Sequence, residues 1–205
     1  ATGFFRDGIN MTAALINPAG TVTGTVDATG CNVGVYYDSG VGQVSNANIY
    51  GANYFGVVVN GDVNTVTVNV TASQIHDIGE TPLNGTQHGV AIYYRAFGGT
   101  TSGNISNNTV YNYQKGGIVA NGPGTTVSIK GNTAKGQGPV NYIAQNGIQV
   151  GYGATATVNG NSVSGNAYTG PNCASSGGIL VVGGPCYGLP NYTVGTQIVG
   201  NTVVN

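Results

Sequence analysis

A phrase recurs along this chain with drift: a glycine, a short apolar run, a glycine-marked turn, a second β-rich run, then a Gly-Asn or Asn-Asn corner. It reads GIVANG from Gly117, GIQVGYG from Gly147 and GILVVGG from Gly178. Looser copies are GVYYDSG from Gly34, GVVVNG from Gly56 and GVAIYY from Gly89. The anchor glycines are separated by 22, 33, 28, 30 and 31 residues. Such a period, with β-rich segments and no helical stretch in between, predicts a solenoid in which each repeat is one coil.

The corners give a second column. ISNNTV (from Ile105), IKGNTA (from Ile129), VNGNSV (from Val158) and IVGNTV (from Ile198) align Asn108, Asn132, Asn161 and Asn201, with Ala47 and Ser73 in the same place in earlier coils. Asparagine tolerates left-handed backbone, and its amide can bond the same amide one coil above and below. These four are therefore expected to form a structural ladder rather than a ligand site.

Residues 1–20 do not fit the repeat. FFRDGINMTAALINPAG holds the chain's adjacent Phe pair and its one Met, and it reads as an N-terminal cap or a docking arm, with the solenoid domain over 21–205. The chain begins at Ala1, which fits a processed signal peptide or a trimmed chain. Its last coil, GNTVVN, lacks the polar cap that solenoids normally carry, so the expectation is either a piece of a longer β-helix or self-association through the coil ends.

Charge excludes several roles. Five Lys or Arg against six Asp or Glu cannot neutralise a row of phosphates, so no nucleic-acid partner is expected. No apolar run approaches the roughly 18 residues of a membrane span. Cys173 and Cys186 flank Gly178 in loop-like surroundings and are expected to form a disulfide. Cys31 is then left as a buried small hydrophobe or an intermolecular bridge. Neither His76 nor His88 has metal-ligand spacing to a Cys, so no metal or other cofactor is expected.

Together with the Asn corners, the repeats resemble the right-handed parallel β-helix proteins of the pectate-lyase-like superfamily. Segments such as GPVNYIAQNGIQVGYGA are similar to secreted bacterial proteins of that repeat class whose function is uncharacterised. The resemblance covers about residues 21–205 and implies an all-β, right-handed parallel β-helix of six to seven coils, secreted or at the cell surface. The superfamily includes pectate lyases, polygalacturonases, tailspikes and epimerases, so the fold alone assigns no reaction.

Two stretches carry candidate chemistry. IHDIGETPLNGTQHG holds His76, Asp77, Glu80 and His88, and Arg95 follows in the next strand. Asp77 or Glu80 paired with a histidine suits acid–base work, and Arg95 suits a uronate carboxylate. The bland alternative makes His76 part of an outward column with Tyr50 and Tyr111. The other acids, among them Asp7 and Asp62, read as isolated turn formers. Among thirteen tyrosines, Tyr50, Tyr93, Tyr94 and Tyr111 are candidate carbohydrate contacts, set against ladder packing. The expectation is an extracellular structural or adhesive solenoid assembling end to end. A polysaccharide-binding module, or a polysaccharide lyase or hydrolase, is the alternative.

Overall fold

The computed structural model describes residues 1–174, 176–188 and 191–204. An antiparallel hairpin of β1 (Phe5–Arg6) and β2 (Ile9–Asn10) precedes seven coils among the described residues. Coil 1 holds β3 (Ala13–Ile16) and β4 (Thr21–Asp27), and coil 2 holds β5 (Val33–Tyr37) and the long β6 (Gly40–Tyr50). Coil 3 runs through β7 (Phe55–Asn60), β8 (Thr65–Thr71) and β9 (Gln74–Ile78). Coil 4 runs through β10 (Val90–Arg95), β11 (Thr100–Ser106) and β12 (Thr109–Tyr113). Coil 5 comprises β13 (Gly116–Asn121), β14 (Thr125–Lys130) and β15 (Thr133–Lys135); coil 6 comprises β16 (Asn146–Gly151), β17 (Thr155–Asn159) and β18 (Ser162–Ser164). Coil 7 ends the stack with β19 (Gly177–Val182), β20 (Gln197–Val199) and β21 (Thr202–Val204).

The first strand of each coil joins a seven-stranded parallel sheet in the order β19-β16-β13-β10-β7-β5-β3. The remaining strands form a twelve-stranded sheet folded into a second and a third face. The bend lies within β6: Gly40–Ser45 pairs with β8, whereas Asn48–Tyr50 pairs with β9. The arm expected over 1–20 is accordingly shorter, because β3 already pairs in parallel with β5.

The bend between the second and third faces has a two-residue recipe. Asn46, Ala72, Asn107, Gly131, Gly160 and Gly200 all have positive φ, a region that glycine and asparagine enter at least cost. The next residue points inward, which builds the column Ala47, Ser73, Asn108, Asn132, Asn161 and Asn201. The backbone N–H of each of the first five donates to the side-chain oxygen of the residue one coil on, at 2.9–3.0 Å. Each Asn Nδ2 also donates to a carbonyl one coil back, as Asn132 does to Ile105 at 2.8 Å. A buried polar corner is thereby satisfied along the stack.

Alternation places the rest. In β8, Val66, Val68 and Val70 are fully buried while Thr67 and Asn69 face outward. The anchor glycines mark where β-branched side chains of the third face reach the corner with the first. A Cβ on Gly34 would stand 2.5 Å from the Gly56 carbonyl oxygen and 2.7 Å from Ile49 Cγ2. Gly56, Gly117, Gly147 and Gly178 meet Ile75, Val110, Val163 and Val203 in the same way. Coil 4 departs from the sequence expectation: Val90 pairs with Phe55 and Ile92 with Val57, so Ala91 rather than Gly89 occupies the column. Gly89, with φ 90°, instead closes the long loop before β10.

Candidate functional site

The outer face of the seven-stranded sheet is not uniformly solvated. Phe4 and Met11 of the N-terminal segment pack there with Tyr36, Tyr54, Phe55, Val58, Val90 and Tyr93, forming an apolar cluster outside the helix bore. Tyr93 stacks on Phe55 with ring centroids 5.2 Å apart. Its neighbour Tyr94 points the opposite way. Tyr94 is fully buried, its hydroxyl donates to the Val68 carbonyl at 2.6 Å, and burial pushes its pKa far up. Strand alternation thus removes Tyr94 as a carbohydrate contact and leaves Tyr93.

Where the N-terminal segment ends, a groove of about 540 Å³ continues along this face. Tyr93, Val119 and Gln149 stand in register on successive strands, as do Arg95 and Asn121. Phe97, Tyr152 and Tyr187 add aromatic surface to the lining. Arg6, Arg95 and Lys115, three of the chain's five basic residues, also line the groove, and no acidic residue does. Arg95 is held from behind: its Nε and Nη2 donate to Asp62 Oδ2 at 3.0 and 2.7 Å. Burial works against its charge, but the Tyr93 and Asp62 interactions outweigh it and raise its pKa. Asp62 is therefore an ion-pair partner, not an isolated turn former, and it occupies the edge of the guanidinium expected to receive a uronate. Lys115 differs. Its ammonium donates to the Ala144 carbonyl at 2.7 Å, no carboxylate pairs with it among the described residues, and burial lowers its pKa.

The His–acid stretch separates into two pairs on either side of a corner. His76, in β9, faces out from the third face with Nδ1 2.7 Å from Asp77 Oδ2 and Nε2 3.0 Å from Asn48 Oδ1. Tyr50, His76 and Tyr111 stack there, with centroid separations of 5.4 and 4.7 Å. The imidazole covers one ring face of each tyrosine, so the column mainly presents edges, a poor platform for a sugar. Glu80 and His88 belong to the loop of residues 79–89. His88 is buried, stacked on Tyr54 at 3.8 Å, with Nε2 2.7 Å from Glu80 Oε1 and Nδ1 3.7 Å from Asp7 Oδ2. Asp77 and Glu80 come back together at a pocket of about 460 Å³ lined also by Pro82, Asn112, Gln137 and Tyr142. Arg95 does not line it.

Sequence reasoning missed the residue that shapes this loop. Gln114 is fully buried; its Oε1 accepts from the N–H groups of Glu80 and Asn84 at 3.2 and 3.0 Å. Its Nε2 donates to the carbonyls of Thr86 and His88 and to the Thr86 hydroxyl. The loop is wrapped around one amide. Gln145, also fully buried, likewise precedes an anchor glycine. In a chain whose turns are polar throughout, nothing distinguishes these glutamines from loop residues. Lys115, Asn121, Gln149 and Tyr152 were missed for the same reason.

The cysteines are all free: Cys31 is half-buried against the core, and Cys173 and Cys186 are exposed. The expected bridge is not formed. Cys173 lies before β19 and Cys186 after it, in the loops at opposite ends of that strand. No group of three or more His, Cys, Asp or Glu side chains able to hold a metal ion occurs among the described residues.

Residues 14–203 match the family model described as "Right handed beta helix region". The chain belongs to this right-handed β-helix family. Parallel pairing of every strand from β3 to β21 agrees with that assignment. No curated protein and no solved structure matches the chain.

Proposed function

We propose that this β-helix is an extracellular adhesive module that binds acidic polysaccharide along the outer face of its seven-stranded sheet. The observation that carries the reading is the groove lined by Arg6, Arg95 and Lys115 with Tyr93, Tyr152 and Tyr187, and by no acid. Aromatic rings supply apolar surface for sugar faces, and the Lys115 ammonium, which no carboxylate pairs with among the described residues, supplies a charged donor for a carboxylate or sulfate. Binding of polyuronate and of an uncharged glucan, compared by affinity electrophoresis or calorimetry, tests this. Lys115→Ala should weaken polyuronate binding about tenfold or more, the loss of one charge-assisted hydrogen bond of about 1.5–3 kcal/mol. Equal affinity for both glycans, or an unchanged Lys115→Ala variant, would overturn it.

A second reading, hydrolysis, is favoured by one observation: Asp77 and Glu80 line one pocket, each backed by a histidine. Release of reducing ends from a polysaccharide, abolished by Glu80→Gln with the fold intact, is its test. We also propose that the adhesive module associates through its coil ends. Support comes from the low charge, five Lys or Arg and six Asp or Glu, which leaves little of the repulsion that guards sheet edges. Sedimentation that stays monomeric up to high concentration would remove that part.

A further inference from the structure

The sequence contains five Asn-Gly pairs, at Asn60, Asn84, Asn121, Asn146 and Asn159. Four are built into the stack. The N–H of Gly61 donates to Arg95 O at 2.7 Å, that of Gly122 to Gly151 O at 3.0 Å, and that of Gly160 to Val199 O at 3.1 Å. Asn146 lies inside β16, is 5% exposed, and donates its own N–H to Lys115 O. Asn84-Gly85 stands apart. Both residues are exposed in the loop before β10, and the Gly85 N–H has no acceptor among the described residues. The Asn84 side-chain carbonyl accepts from the Thr86 N–H at 2.9 Å and the Thr86 hydroxyl at 2.6 Å. Those donors polarise the carbonyl and make its carbon a better electrophile.

We infer that Asn84-Gly85 is a selective site of spontaneous deamidation. Base removes the Gly85 amide proton, the nitrogen bonds to Asn84 Cγ, and the side-chain nitrogen leaves as ammonia carrying a proton. Water then opens the cyclic imide at either carbonyl, giving aspartate or its β-linked isomer. The other pairs must first open the coil ladder or expose a buried residue, whereas this loop needs neither. Either product puts a new carboxylate in the loop that carries Glu80. The β-linked form also adds a backbone methylene between Asn84, whose N–H is held by Gln114, and Gln87, which lines the groove.

The test is ageing of the folded full chain in mildly alkaline buffer, followed by peptide mass mapping and isoaspartyl labelling. Asn84 should convert at least about tenfold faster than any other pair, tenfold corresponding to about 1.4 kcal/mol of local opening. In denaturant that preference should collapse. Asn84→Gln should abolish the loop signal and leave the other four unchanged. Conversion at Asn60, Asn121, Asn146 or Asn159 at a matching rate would overturn the inference. So would an Asn84 that persists in the folded chain while the unfolded chain converts.

Discussion

Removing the amide of Asn132 should show how much of the stack depends on the corner ladder. Asn132 is 1% exposed. Its Oδ1 accepts from Asn108 N and Nδ2, both at 3.0 Å, and its Nδ2 donates to Ile105 O at 2.8 Å and Asn161 Oδ1 at 2.9 Å. In Asn132→Ala the buried Asn108 N–H loses its acceptor, while Asn108 Nδ2 keeps Val70 O and Asn161 Oδ1 keeps the Asn132 N–H. One orphaned buried donor costs about 1–3 kcal/mol, and the other lost bonds about 0.5–1.5 kcal/mol each before relaxation. The expected total is about 3–5 kcal/mol. Asn201, half-exposed in coil 7, can exchange its bonds for water, so Asn201→Ala should cost about 1 kcal/mol. Urea unfolding followed by circular dichroism measures both. Asn132→Asp keeps the acceptor but aims a carboxylate at Ile105 O and Asn161 Oδ1. Its protonated form is favoured in the folded state, so stability should recover as pH falls through the raised folded pKa. Equal costs for Asn132→Ala and Asn201→Ala would refute the ladder as a main stabiliser.

Ala72 holds φ 49° at a corner where coils 5, 6 and 7 use glycine, so Ala72→Gly should raise stability by about 0.5–1 kcal/mol, read as the urea midpoint. Gln114→Leu removes the amide that holds residues 80–88; hydrogen exchange there should accelerate by about 10²-fold or more while β11 and β14 stay protected. Because burial depresses the Lys115 pKa, its ammonium is lost below the ordinary lysine range. Polyuronate affinity should therefore fall as pH rises through the depressed pKa, and Lys115→Ala should flatten that profile. In the free protein the unfolded chain binds the extra proton across this window, so stability should rise with pH there.

The coil stack was legible because its constraints repeat. Anchor glycines recur where a third-face Ile or Val meets the first face, and a left-handed residue recurs at the bend of coils 2 to 7, followed by Asn in coils 4 to 7. The exception is instructive: Ala91 fills the anchor place in coil 4, and the nearby Gly89 drew the register two residues off. The groove was not legible. Arg6, Arg95 and Lys115 come from the hairpin, the first strand of coil 4 and the return that ends coil 4, and only stacking brings them together. For the His–acid stretch, nearness in sequence misled in part. Alternation in β9 turns His76 out on the third face, and the loop carries His88 around the corner beneath the N-terminal hairpin.

The site-bearing geometry follows from unequal returns between the third and first faces. From the strand bounds, residues 51–54 return coil 2, 79–89 coil 3, 114–115 coil 4, 136–145 coil 5 and 165–176 coil 6. A two-residue return between an eleven- and a ten-residue one leaves a notch in the corner. The pocket of Asp77 and Glu80 is that notch: Glu80 and Pro82 come from the loop on one side, Gln137 and Tyr142 from the loop on the other, and Asn112 from the strand before the short return. The short return itself is Gln114-Lys115. One residue turns inward to template the longer loop, and the other reaches the Ala144 carbonyl of the next loop while lining the groove. A single shortened connection thus couples both cavities, and changes at residues 114–115 should reach the notch and the groove together, whereas changes in the Asn corner act on the stack alone.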